Sequence, residues 1–98
     1  MTRDDAIAIL RAHQDELKAA GVRSLRMFGS MARDDAGPES DVDLEAAFEN
    51  ASELTLLDLV RLERHLSGLL GRKVELIQQR AFKDGIRERV EAEAVLAF

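Results

Sequence analysis

Apolar and polar positions alternate along this chain in two rhythms. Ala6, Leu10, His13, Leu17 and Ala20 recur at helical spacing. The preceding Thr2-Arg3-Asp4-Asp5 reads as a capping box with Thr2 as the cap, and Gly21 supplies the stop. Val22 to Phe28 changes to strand-like alternation, with Leu25 and Met27 on one face and Arg23 as an interruption. Gly29-Ser30 breaks the strand, and Met31-Ala32-Arg33 fits one short helical turn. Asp34 to Ser40, with Gly37 and the only proline, Pro38, reads as a loop. Asp41 to Phe48 is a second strand and Asn50 to Glu53 a turn. A second capping box, Thr55 to Asp58, opens a leucine stripe at Leu56, Leu59, Leu62, Leu66, Leu69 and Leu70 that ends at Gly71. Lys73 to Ile77 is a third strand. A further helix is predicted from near Arg80 or Lys83 to Ala92, carrying Ile86 and Val90. Ala94 to Phe98 fits either a short strand or a helical tail.

The order αβ(α)βαβα(β) predicts an α+β fold, a small mixed sheet with helices packed on it, with residues 1–98 forming a single domain. No repeat or linker interrupts it.

Composition narrows the function. Cysteine is absent, so disulfides and thiolate metal sites are excluded and a cytoplasmic location is expected. The amino terminus lacks the apolar core of a signal peptide, and no apolar run approaches the roughly 20 residues of a membrane span. Nineteen acids against fourteen bases give a net charge of −5, which argues against direct nucleic-acid binding. Four phenylalanines, with no Trp or Tyr, argue against a base-stacking platform. An acidic chain still accepts an anion through a bound cation, which reverses the local sign.

Candidate chemistry lies in "FGSMARDDAGPESDVDL", Phe28 to Leu44. Asp41 and Asp43 are two apart in a strand, so they share a face about 6.6 Å apart. Two carboxylates so placed repel unless a cation joins them, and hard divalent cations take such oxygen ligands together with substrate phosphates. The plainer alternative is a solvated acidic strand edge. Gly29 lets the backbone turn tightly, and Ser30 offers a hydroxyl and nearby N–H groups for a phosphate. Its alternative is a simple helix N-cap. Arg33 is available to phosphate, or else to an ion pair with Asp34 or Asp35. His13 and His65 lack metal-ligand spacing and read as structural.

Together these residues give G-S-x(10)-D-x-D, and on that motif the chain resembles the minimal nucleotidyltransferases (MNT) of the DNA polymerase beta superfamily. The resemblance extends over almost the whole chain, including Thr55 to Leu76. It implies the nucleotidyltransferase fold and metal-dependent transfer of a nucleoside monophosphate from a triphosphate. It also implies a third carboxylate on a later strand. That residue is Glu75, an acid inside the apolar run "RKVELI", for which the plainer alternative is a solvent-facing edge position. The family more often has Asp there, and often has Gly where this chain has Asp34.

The resemblance further implies two Mg²⁺ ions on Asp41, Asp43 and Glu75, with ATP as substrate. Gly29, Ser30 and Arg33 would bind its phosphates, and Glu75 would be either ligand or proton acceptor. Stand-alone family members are typically antitoxins that add AMP to a tyrosine of a HEPN-type ribonuclease toxin. The alternatives are an antitoxin that masks its partner without catalysis and a small-molecule nucleotidyltransferase.

Overall fold

A computed structural model describes residues 1–79 and 84–98. The expected helix start near Arg80 or Lys83 lies outside the described residues, as does the Ile86 side chain. The elements are α1 (Arg3–Ala12), α2 (Gln14–Ala19), β1 (Val22–Phe28), α3 (Gly29–Ala32), β2 (Val42–Phe48), α4 (Leu56–Leu70), β3 (Val74–Gln78), α5 (Asp84–Glu93) and β4 (Val95–Leu96), with a 3₁₀ turn at Ala51–Glu53. The strands form one mixed sheet in the order β3-β2-β1-β4. β1 is antiparallel to β2 and to β4, and β2 runs parallel to β3. The fold is α+β, as the element order predicts, and the tail adopts the strand alternative.

Local chemistry explains most boundaries. Both capping boxes form: Thr2 accepts from the Asp5 N–H and Thr55 from the Asp58 N–H, each returned by the aspartate side chain. Gly71 ends α4 in the left-handed conformation, at φ +67°. The first helix differs from expectation, because His13 interrupts it with ψ +14° and divides it into α1 and α2. The apolar face survives the break, and Ala6, Leu10 and Leu17 are fully buried.

In β1, Val22 and Leu25 are three apart yet both buried, which simple alternation forbids. The pairing Val22↔Phe48 followed by Ser24↔Ala47 resolves this, since Arg23 is the extra residue of a β-bulge. On α4, Leu66 and Leu70 enter the core and Leu59, Leu62 and Leu69 pack against it. Leu56 does not: it is 77% exposed. At 3.6 residues per turn it lies about 80° around the helix from Leu66, at the first turn.

The core joins Leu10, Leu17, Leu25, Met27, Met31, Leu44, Leu66 and Val74. Among the described residues one charged side chain, Glu45, is buried, at 4% exposure. Among the described residues no helix is long and apolar enough to cross a membrane.

Candidate active site

Sheet order and register assemble the site. β2 lies between β1 and β3, so Phe28 is opposite Asp43 and Asp43 is beside Glu75. The backbone turns at Gly29, the residue after Phe28, with φ +73°. A Cβ there would stand 2.3 Å from the Asp43 Oδ2. Glycine is therefore required twice, by its conformation and by the approach of a site carboxylate.

Asp43 and Glu75, far apart in sequence, lie side by side in the β2–β3 register, and Glu75 is exposed on the edge strand β3, so the solvent-facing edge position is realised there. The Asp43 carboxyl is pushed up to about 6 by desolvation first, then by the charge of Glu75 and their hydrogen bond, then by Asp41; Arg33 pulls it the other way. Asp41 lies just ahead of β2, where the Lys73 Nζ is 3.9 Å from its Oδ2.

Ser30 is not a helix cap. Phe28 occupies the N-cap position of α3, and no side chain caps that helix. The N-cap alternative is thus removed, and the hydroxyl lies one residue past the Gly29 turn. Arg33 ends α3 with its guanidinium paired to Asp35, Nε to Oδ2 at 3.3 Å, and to Glu93, Nη1 to Oε2 at 3.0 Å. Of the alternatives for Arg33, the ion pair with Asp35 is the one that forms. Asp34, by contrast, turns away: the Arg3 N–H donates to its Oδ1 at 3.4 Å, at the start of α1. Its φ of +63° is the left-handed conformation that glycine adopts most readily.

One group escaped the sequence reading. Arg26 donates from Nε and Nη2 to both oxygens of buried Glu45, at 2.7 and 2.8 Å. It also donates to both oxygens of Glu91 on α5, at 2.9 and 2.8 Å. This cluster ties α5 to the sheet face that carries Asp43. An acid inside the apolar run Val42–Phe48 was the available signal, but its partner is visible only once the Arg26↔Glu45 register is known.

Both histidines lie elsewhere, converging on Glu16 from α4 and from the α1–α2 break. His65 Nε2 contacts its Oε1, and His13 Nδ1 is 3.3 Å from its Oε2.

The donor set Asp41, Asp43 and Glu75 is all carboxylate oxygen, which suits a hard divalent cation. Desolvation and then the like charges of Glu75 and Asp41 raise Asp43, and a bound cation would relieve the charge part of that cost. Among the described residues, however, no three His, Cys, Asp or Glu side chains are already arranged to hold a metal.

Residues 9–97 match the nucleotidyltransferase domain family. The chain is 38% identical over 96 residues to protein adenylyltransferase MntA of Thermococcus cleftensis, covering 97% of this chain and 95% of that one. The chain belongs to the nucleotidyltransferase family. Within that family it superposes on a solved structure assigned to the minimal nucleotidyltransferases, with TM-score 0.80 and 38% identity over 97% of this chain and 95% of the other. A more distant fold match, at TM-score 0.61 and 14% identity, comes from a complex of tri-AMPylated HEPN toxin with MNT antitoxin from Shewanella oneidensis. It covers 89% of this chain and 70% of that one.

Proposed function

We propose that this chain is a Mg²⁺-dependent protein adenylyltransferase. It moves AMP from ATP to a hydroxyl, expected to be a tyrosine, on a HEPN-type ribonuclease toxin in the cytoplasm, and so acts as the antitoxin. The observation that carries this reading is the pairing of Asp43 with Glu75 across β2 and β3, with Gly29 set against the Asp43 carboxylate. A fold needs no such pair, since like charges side by side cost stability. The name of the Thermococcus relative and the AMP-carrying toxin of the Shewanella complex support the choice of nucleotide and partner.

Asp41 and Asp43 would hold the cations, with Glu75 as a further ligand or as proton acceptor. When bound, the cations neutralise the triphosphate and ease ionisation of the attacking hydroxyl. Ser30 and the turn at Gly29 hold the β- and γ-phosphates. Arg33 exchanges Asp35 and Glu93 for phosphate oxygens as ATP arrives. The acceptor oxygen bonds to the α-phosphorus, the bond to pyrophosphate breaks, and the hydroxyl proton passes to Glu75 or to water.

The test uses substoichiometric protein with ATP, Mg²⁺ and an excess of a HEPN-type toxin from the same organism. Progressive neutralisation is expected, with one or more AMP units added to the toxin by mass. Glu75→Gln should still bind the toxin but not modify it. Neutralisation only at equal stoichiometry, with ATP irrelevant, would replace the enzyme by a masking antitoxin.

A further inference from the structure

Asp41 is the site carboxylate that no strand contains. β2 begins at Val42, and Asp41 ends the connection that leaves α3. The preceding residues form a closed turn: the Gly37 N–H donates to the Ser40 Oγ at 2.8 Å, and the Ser40 N–H to the Gly37 carbonyl at 3.2 Å. Arg72 grips this turn from outside. Its Nη1 lies 3.1 Å from the Gly37 carbonyl and 3.5 Å from that of Ser40, the carbonyl of the peptide that leads into Asp41.

The base of Arg72 is itself fixed on both sides. Gly71 caps α4, its N–H donating to the Ser67 carbonyl at 2.9 Å, and the Lys73 carbonyl accepts from the Val42 N–H at 2.9 Å. The other tie, from Lys73 Nζ to Asp41, is longer at 3.9 Å, and the lysine side chain is mostly exposed.

We propose that Arg72 is a positioning residue for Asp41: by binding both carbonyls of the Gly37–Ser40 turn, it fixes the Asp41 carboxylate relative to Asp43 and so sets the affinity for a divalent cation with a nucleoside triphosphate. This rests on the nucleotidyl-transfer reading of the site. Both contacts come from Nη1, whose two N–H groups are held in the rigid guanidinium plane, whereas a lysine ammonium is a flexible point charge.

Arg72→Ala and Arg72→Lys test it. In metal-free protein the Ser40 and Val42 amides should exchange about ten-fold faster in the alanine variant, the equivalent of one to two hydrogen bonds. Those of Leu25 and Met27 should not change. Mn²⁺ binding in the presence of a non-hydrolysable ATP analogue, read by water relaxation, should weaken about ten-fold. The lysine variant should recover part of both effects. Metal needed for half-maximal transfer should rise in parallel, with kcat restored at saturating metal. Wild-type exchange in a folded Arg72→Ala overturns the proposal. So does faster exchange with unchanged Mn²⁺ affinity, which leaves Arg72 a loop staple alone. If the wild type modifies no partner, the transfer reading fails, while the exchange and Mn²⁺ measurements still decide the role of Arg72. A wild type that binds no Mn²⁺ overturns both.

Discussion

Gly29→Ala separates a glycine needed for its backbone from one needed for its missing side chain. Alanine at φ +73° carries a left-handed penalty of about 1–2 kcal/mol. Its Cβ would also stand 2.3 Å from the Asp43 Oδ2, so that oxygen must withdraw by roughly an ångström to reach ordinary contact. Asp43 has little room for this, with Glu75 on its other side. Displacement on that scale costs on the order of 100-fold in rate. Gly71→Ala is the internal control: its φ is +67°, with nothing within 4 Å of the added Cβ. Gly71→Ala should lose about 1–2 kcal/mol in urea unfolding, and Gly29→Ala at least as much, since its clash adds to the backbone penalty. Only Gly29→Ala should lose AMP transfer, measured at saturating ATP and at a temperature where both remain folded. The reasoning fails if Gly29→Ala transfers within a few-fold of wild type. It fails equally if Gly71→Ala, folded, loses as much activity.

Three further outcomes follow from the same contacts. Asp43 titrates near 6 in the folded chain against 3.8 as its ordinary value, so the stability this group supports is full below about pH 3.8 and lost as pH rises through about 6. Metal-free Asp43→Asn, whose amide keeps a donor toward Glu75, should therefore gain on wild type across that window. The rise from 3.8 to about 6 corresponds to about 3 kcal/mol, which solvent screening of this half-buried group reduces to about 1 kcal/mol; a constant difference from pH 4 to 8 would refute the origin given. Glu45→Gln leaves Arg26 facing a buried neutral amide and should destabilise by about 3 kcal/mol in urea, and a loss under 1 kcal/mol would show the pair to be dispensable. Ser30→Ala should weaken triphosphate binding by about 1–3 kcal/mol with stability within about 0.5 kcal/mol of wild type, because Phe28 rather than Ser30 occupies the cap; unaltered affinity in calorimetry would remove Ser30 from the site.

What the sequence made legible was governed by near neighbours. Thr2 with Asp5, Thr55 with Asp58 and the stop at Gly71 act within a few residues, and all three form as read. The leucine stripe of α4 was legible in its middle and misleading at its first turn, because periodicity assigns a face but not where the opposing sheet ends. The bulge at Arg23 was visible only as an interruption, since its consequence depends on the partner strand. Asp34 was a departure from the family's glycine without an explanation until its positive φ and its bond to the Arg3 N–H placed it.

The acids in the strands show where local reading ends. Asp43, Glu45 and Glu75 each interrupt an apolar run, and each resembles the others in sequence: an ionisable group where burial is costly. Register divides them. Glu45 faces Arg26, an opposite charge held by two short hydrogen bonds, so its cost is met within the fold. Asp43 faces Glu75, a like charge, and the fold leaves that cost standing. No neighbouring stretch carries this distinction, because β2 and β3 are separated by the whole of α4. The motif pointed to Asp41 and Asp43 through family likeness. The physical reason to propose Glu75 with them, and to leave Glu45 out, is that one pairing satisfies its charge and the other sets two like charges side by side, which a bound cation would offset.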